Sequence, residues 1–249
     1  MNNIDYEDFY DKVGEQIGWD FSKVKCCIKG EKWDFYNRVI KESRRTDILL
    51  DIGMGGGERV IEIAQKFLLL IGIDKSSQMI HTAKSNLLRS HAKNIKFFQM
   101  DASHIQFPNQ FFNIISCRHS EFDSREVYRL LVDGGIFITQ QVSEADKINL
   151  KIAFERGQNF GEKDGSLKMR NLHELQELNF SKIKSYDYNA KEYYQTPEDL
   201  LFLLKYTPII PNFGKDKIDF EILKEFISEH KTPHGILTNS KRFMIIAYK

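Results

Sequence analysis

Apolar residues along this chain fall into short runs separated by stretches of helical spacing. Runs at 48–50, 68–73, 95–99, 112–117 and 136–142 are rich in isoleucine, leucine and phenylalanine and are closed by turn residues. Runs of that length and composition read as strands buried on both faces. Between them, residues 59–67 and 123–131 carry amphipathic helical patterns, and Asp133-Gly134-Gly135 marks a turn. The order is β-α-β-α-β followed by β-α-β. Right-handed crossovers then predict an α/β fold, a mostly parallel sheet with helices on both faces.

Downstream, a helix is expected at 167–178, strands at 182–188 and 242–248, and between these strands an insertion of about fifty residues, longer than an ordinary connection. Within the insertion, residues 198–205 and 220–229 read as helices flanking the stiff segment Pro208-Ile209-Ile210-Pro211. This is read as a helical cap at about 193–235 that packs on the sheet and walls an apolar pocket. Residues 1–46 read as helical and rich in aromatics: Tyr6, Phe9, Tyr10, Trp19, Phe21, Trp33, Phe35 and Tyr36. The expected organisation is a single domain: residues 1–46 a helical segment, 47–142 a ligand-binding half, and 143–249 the completion of the sheet with its cap.

The densest chemical signal is Leu50-Asp51-Ile52-Gly53-Met54-Gly55-Gly56-Gly57-Glu58, directly after the first buried strand. Glycines at 53, 55 and 57 let backbone approach a ligand that a Cβ would hold off, and the helix that follows turns its free N–H groups to the same crevice. A dinucleotide loop would want glycine where Glu58 stands. No Lys or Arg in the loop offsets that charge, and the G-x-x-x-x-G-K-[ST] phosphate grip is absent. The loop suits a ligand that is not strongly negative here, and Asp51 would welcome a cation such as an amino-acid ammonium. Asp74 closes the second strand, where nucleoside-binding α/β folds hold ribose hydroxyls.

This D-x-G-x-G-x-G pattern resembles motif I of the class I S-adenosylmethionine-dependent methyltransferases, with further likeness to the ubiquinone/menaquinone-biosynthesis type. The likeness covers about residues 45–142 and continues in Asp74-x-Ser76-x-x-Met79-Ile80 and Met100-Asp101-Ala102. It implies a Rossmann-like seven-stranded sheet whose last strand, 242–248, is antiparallel. It implies S-adenosylmethionine as cofactor and S-adenosylhomocysteine as product. Asp51, Gly53, Met54, Gly55, Gly57, Asp74, Lys75, Met79, Asp101, Ala102 and Arg118 would surround the cofactor, Asp74 on the ribose and Asp101 on the adenine amino group. It further implies that the N-terminal helical segment closes over the cofactor, with Tyr10 or Trp19 against the sulfonium. The turn at Val132-Asp133 lacks the proline that the family often writes there, a change confined to a helix stop.

For catalysis, the sulfonium methyl is already electrophilic, so alignment and water exclusion are the main demands. His119, just past the fourth strand, is the candidate base. Arg118 can hold an acceptor carboxylate or phosphate, or pair with Glu121. Gln140 and Gln141 are polar where a buried strand should be apolar, and alternation sends one of them inward.

The 249 residues are 41% hydrophobic, and 36 basic against 35 acidic residues leave a net charge of +1. That balance does not favour nucleic acid; the expected partner is a small-molecule acceptor, and the chain a monomer or homodimer. An RNA base methyltransferase and a non-catalytic adenosylmethionine-binding module are the alternative functions. Three cysteines, Cys26, Cys27 and Cys117, and a polar N-terminus without a basic or apolar leader point to the cytoplasm. No apolar run is long enough for a membrane span. Ligand-spaced Cys, His or carboxylate motifs are absent, so no metal is expected.

Overall fold

Apolar runs at a sheet's centre are buried from both sides, and the computed structural model of this chain, which describes residues 23–249, builds its sheet from them. A short strand β1 (Cys26–Lys29) precedes helix α1 (Phe35–Glu42). Then come β2 (Ile48–Ile52), α2 (Glu58–Ile63), β3 (Leu69–Asp74), α3 (Ser77–Leu88) and β4 (Ile95–Gln99). A second unit follows: β5 (Phe112–Arg118), α4 (Ser124–Leu130) and β6 (Leu131–Val142). The remainder holds α5 (Ile148–Ala153), α6 (Ser166–Glu177), β7 (Lys182–Tyr194), α7 (Pro197–Tyr206), α8 (Ile218–His230), β8 (Lys231–Thr232) and β9 (Gly235–Tyr248).

The strand order is β1-β7-β9-β6-β5-β2-β3-β4, with β8 paired to β9. Strands β4, β3, β2, β5 and β6 are parallel, whereas β9 lies antiparallel between β6 and β7. The doubly wound topology, with its antiparallel last strand, is the one the sequence predicts. Among the described residues two strands exceed the expected seven, β1 and β8. Residues 26–29, expected to be helical, instead pair antiparallel with β7 from Cys26↔Tyr194 to Lys29↔Lys191. The aromatics Tyr6, Phe9, Tyr10, Trp19 and Phe21, and with them the expected closure over the cofactor by residues 1–22, lie outside the described residues.

Alternation along the strands splits the interior into two layers. Leu49, Leu70, Ile114 and Met244 face α1, α2 and α3, whereas Leu50, Ile71, Ile115 and Ile245 face α4 and α6. A third cluster, with Leu150, Leu200, Leu204, Leu223 and Phe226, packs α7 and α8 against α5 and the end of β7.

β7 and β9 are longer than their apolar pattern. Their pairing runs from Lys182↔Tyr248 to Tyr194↔Ile236, while β6 stops pairing at Val142↔Arg242. Because β9 is antiparallel to β6, residues 236–241 continue past the carboxyl end of β6. The β7–β9 arm and the two helices it carries therefore rise on the side of the sheet where the parallel strands end. That is also where the chain reverses its winding, between β2 and β5, the position at which open α/β sheets form ligand crevices.

Candidate functional site

In sheet order, the carboxyl ends of β4, β3, β2, β5 and β6 present Asp101, Asp74, the glycine loop, Arg118–His119 and Gln140–Gln141. Adjacent strands lie about 4.8 Å apart, so these segments follow one another along the carboxyl edge of the sheet.

The glycine loop needs its glycines. Gly53, Gly55 and Gly57 adopt φ of 71°, 60° and 78°, the left-handed region that a side chain disfavours. A methyl group at Gly53 would also overlap the side chain of Ser120. The loop is pinned to the next strand: Gly53 and Met54 N–H donate to the Ile73 carbonyl at 2.9 and 3.2 Å, and Gly55 N–H donates to Asp74 Oδ2 at 2.9 Å. Asn86 on α3 braces it from below, donating to the Gly56 carbonyl at 2.8 Å and to Glu58 at 3.0 Å. Met54 is buried, its sulfur occupying the space that a Cβ on Gly72 would need. Sequence reading missed Asn86 and Gly72. A glycine inside an apolar strand was the available signal for the second; Asn86 carries none.

Asp51 ends up 1% exposed and accepts a 2.5 Å bond from Ser116 Oγ on β5. Burial raises its pKa to about 7, a rise that Asp74 reinforces and that Ser116 and Arg118 oppose. A nearby positive charge would favour the ionised form of a carboxylate held this far from water. Asp74 is aimed by Gly55 N–H and by Ser76 N–H at 3.0 Å, while Ser76 caps α3 by accepting from Met79 N–H at 3.2 Å. Asp101 is exposed and accepts from Ser103 N–H and Oγ at 2.8 and 2.7 Å, with Lys75 Nζ 3.5 Å away. The two Ser103 bonds, with help from Lys75, hold its pKa below the usual carboxylate value. Ala102 packs against the core layer below β4.

On the other side of the switch point, the Arg118 guanidinium lies over the Tyr36 ring, 5.8 Å from its centroid, and its Nε is buried without a partner. Tyr36 is itself buried, and burial and Asp51 push its hydroxyl pKa up. Arg118 does not pair with Glu121. His119 has φ 57° and an open ring surface, and its N–H donates to the Gln140 carbonyl at 2.8 Å. Desolvation and then the cations Arg242, Arg118 and Lys147 drive its pKa well below the ordinary value.

Gln140 and Gln141 divide as strand alternation requires. Gln140 meets Trp33 and His119 on one face, and Gln141 donates to the Ser120 carbonyl at 2.8 Å and to Thr139 at 2.9 Å on the other. Trp33, just before α1, and Tyr36, in its first turn, therefore reach the site. Cys117 is buried in the core and its thiol pKa is raised by burial, while Cys26 and Cys27 lie on the far edge strand. Among the described residues, no group of three or more His, Cys, Asp or Glu could hold a metal ion, and no helix is long and apolar enough to cross a membrane.

Residues 49–135 match the family model described as Methyltransferase domain. An uncharacterized methyltransferase, YcgJ of Bacillus subtilis, is 32% identical over 104 residues, which are 39% of this chain and 41% of that protein. A demethylmenaquinone methyltransferase of Lactococcus lactis is 24% identical over 163 residues, 60% of this chain and 64% of the relative. The chain thus spans 41% and 64% of the length of these curated relatives. The crystal structure of YcgJ superposes with a TM-score of 0.62 at 18% identity, covering 86% of this chain and 97% of that one. A phosphoethanolamine N-methyltransferase from Haemonchus contortus, solved with phosphomonomethylethanolamine and S-adenosylhomocysteine, gives 0.56 at 16% identity. It covers 100% of this chain and 61% of its own. These structures share the Rossmann-like fold of the class I enzymes.

Proposed function

We infer that this chain, which carries a methyltransferase domain with the class I fold, transfers the methyl group of S-adenosylmethionine to a small organic acceptor. The observation that carries this reading is the loop at the end of β2, with three left-handed glycines tied through Gly55 N–H to the Asp74 carboxylate. It is a cradle that side chains would fill, next to the buried Asp51 carboxylate.

In this reading, Asp51 and the backbone of Gly53, Gly55 and Gly57 take the amino-acid end of the cofactor. Asp74 takes the ribose. Asp101, Ala102, Lys75 and Met79 enclose the adenine, while Met54 supports the loop from the core side. Arg118 stands at the junction between the cofactor half and the acceptor. The bound cofactor supplies an electrophilic methyl group; the chain's task is to orient the acceptor in line with it and to exclude water. The arm and cap rising from β7 and β9 suit the second task, since they stand over the carboxyl ends of the strands. Acceptor selection then falls to the corner made by Arg118, His119 and Gln140.

Isothermal titration with S-adenosylmethionine and S-adenosylhomocysteine tests the reading, with Asp74→Ala as control. Binding of both in the micromolar to low millimolar range typical of enzyme ligands, reduced at least about tenfold in Asp74→Ala, is expected. No heat from the wild-type protein would remove the cofactor assignment.

A further inference from the structure

Three side chains from separate parts of the chain are joined in a line at the acceptor end of the crevice. Trp33 Nε1 donates to Gln140 Oε1 at 2.7 Å, and Gln140 Nε2 lies 2.9 Å from His119 Nε2. An indole N–H can only donate, so the amide must turn its oxygen to Trp33. Its NH₂ then faces His119, and an amide NH₂ also only donates. His119 Nε2 must therefore offer a lone pair. The ring is neutral, with its proton on Nδ1, because an imidazolium would set one N–H against another.

We propose that His119 meets the acceptor as a hydrogen-bond donor through Nδ1–H, with Trp33 and Gln140 as positioning residues, and that the acceptor presents an anionic or carbonyl oxygen to it. This rests on the methyl-transfer reading and names the acceptor's chemical class.

The surroundings support both halves. Trp33 cannot swing freely, because it packs between Tyr188 and Tyr186 of β7, with ring centroids 4.6 and 6.3 Å away. The His119 backbone is tied to the Gln140 carbonyl, and the Ser120 carbonyl to the Gln141 side chain. The charged groups facing the ring are Arg118 at the end of β5, Arg242 on β9 and Lys147 ahead of α5. Asp146 and Glu192 pair with the last two. Among the described residues Arg118 forms no ion pair with a carboxylate, and its Nε is without an acceptor. The ring's one hydrogen bond among the described residues is at Nε2, leaving Nδ1 without a partner there, and His119 is an exposed residue. An exposed N–H beside an unpaired guanidinium recognises oxygen lone pairs, most strongly those of an anion. An acceptor bound as an oxygen anion needs no base at His119, and Nε2 could not act as one without losing its amide donor.

Long-range ¹H–¹⁵N NMR of the full chain labelled at histidine, assigned with His119→Gln, reads the tautomer directly. His119 should be neutral and Nδ1-protonated, unchanged from pH 8 to about 5.5. An Nε2-protonated ring, or titration near 6.5, would overturn the proposal. In Trp33→Phe the amide is free to turn, so the tautomers should mix and the titration should move upward. A His119 signal indifferent to Trp33→Phe would remove the positioning role. Gln140→Glu, a second route to the same question, should move the proton to Nε2 and raise the ring's pKa.

For the acceptor class, benzoate and benzylamine are titrated in the presence of S-adenosylhomocysteine. Benzoate should shift the Nδ1 resonance and benzylamine should not; any other pattern defeats the oxygen-acceptor half. Cofactor titration separates the failures. Cofactor binding with the wrong tautomer sinks this inference alone, whereas absent cofactor binding sinks the underlying reading.

Discussion

A carboxylate that is 1% exposed, as Asp51 is, has lost most of its hydration, and one Ser116 hydroxyl does not replace it. Its pKa near 7 lies above the ordinary 3.8. Between about pH 4 and 7 the folded chain keeps a proton that the unfolded chain releases, so this group's contribution to stability falls as pH rises through that window. At pH 8, holding Asp51 ionised costs on the order of 4 kcal/mol. A cofactor ammonium would reverse the balance, since it binds the ionised form. Affinity for S-adenosylmethionine should then drop about tenfold per pH unit below 7 and level off above it; a flat titration series from pH 6 to 8 would contradict this. Asp51→Asn should melt with a weaker pH dependence between 5 and 8 than the parent while binding cofactor less well. The position of Asp51 at a strand end was legible in the sequence. Its burial was not, because the Ser116 lid arrives on a strand 65 residues away.

Helix α7 shows what local sequence carries at the scale of an element. Thr196 and Asp199 form a capping box, with Asp199 N–H donating to Thr196 Oγ1 at 3.2 Å and Thr196 N–H donating to Asp199 Oδ2 at 3.1 Å. Pro197 at the first helical position fits the same pattern. The other Asp199 oxygen accepts from Lys25 N–H at 2.8 Å, which ties the cap to the approach of β1. Thr196→Ala should cost about 1 kcal/mol, and Asp199→Ala more, because it strands a second donor. Urea denaturation of the two variants decides it, and an Asp199→Ala cost no larger than that of Thr196→Ala would refute the bridging role. The helix was readable because its signals lie within four residues. The full lengths of β7 and β9 were not. Their inward positions past Tyr188 and before Arg242 are Ala190, Glu192, Thr238 and Ser240, so apolar alternation vanishes where the strands continue. β1 was missed for a related reason: three of its four residues are exposed, and among the described residues it pairs with the distant β7 alone.

At the scale of the molecule, the arm is held to the sheet by buried charge. Lys147 pairs with Glu192, and Arg242 with Asp146, and all four are nearly inaccessible. Arg242 and Lys147 hold the Asp146 carboxyl below its usual value although burial alone would raise it. Lys147 also donates to the Asn239 carbonyl at 3.2 Å, so the network stitches the segment after β6 to both strands of the arm. Glu192→Ala leaves Lys147 buried and without its nearest counter-charge, and should cost about 3–5 kcal/mol. The double variant Lys147→Met with Glu192→Leu should recover most of that loss, since the attraction of a buried pair barely exceeds its desolvation. Thermal and denaturant unfolding of the single and double variants would settle it, and equal losses would count against the pair.

What the sequence by itself determined was what local pattern carries: the order of the central parallel strands and their helices, the glycine loop at a strand end, and the acidic residues on the two neighbouring strands. Strand and helix periodicity, capping and glycine's φ freedom act over a few residues, so they can be read directly. Only the tertiary structure decided which groups meet across the sheet. Ser120 covering Gly53, Asn86 bracing the loop, and Trp33 setting the proton on His119 through Gln140 each join residues more than twenty positions apart. Such contacts come from strand register and layer packing, which no local pattern records, and they turned His119 from an expected base into a proposed donor.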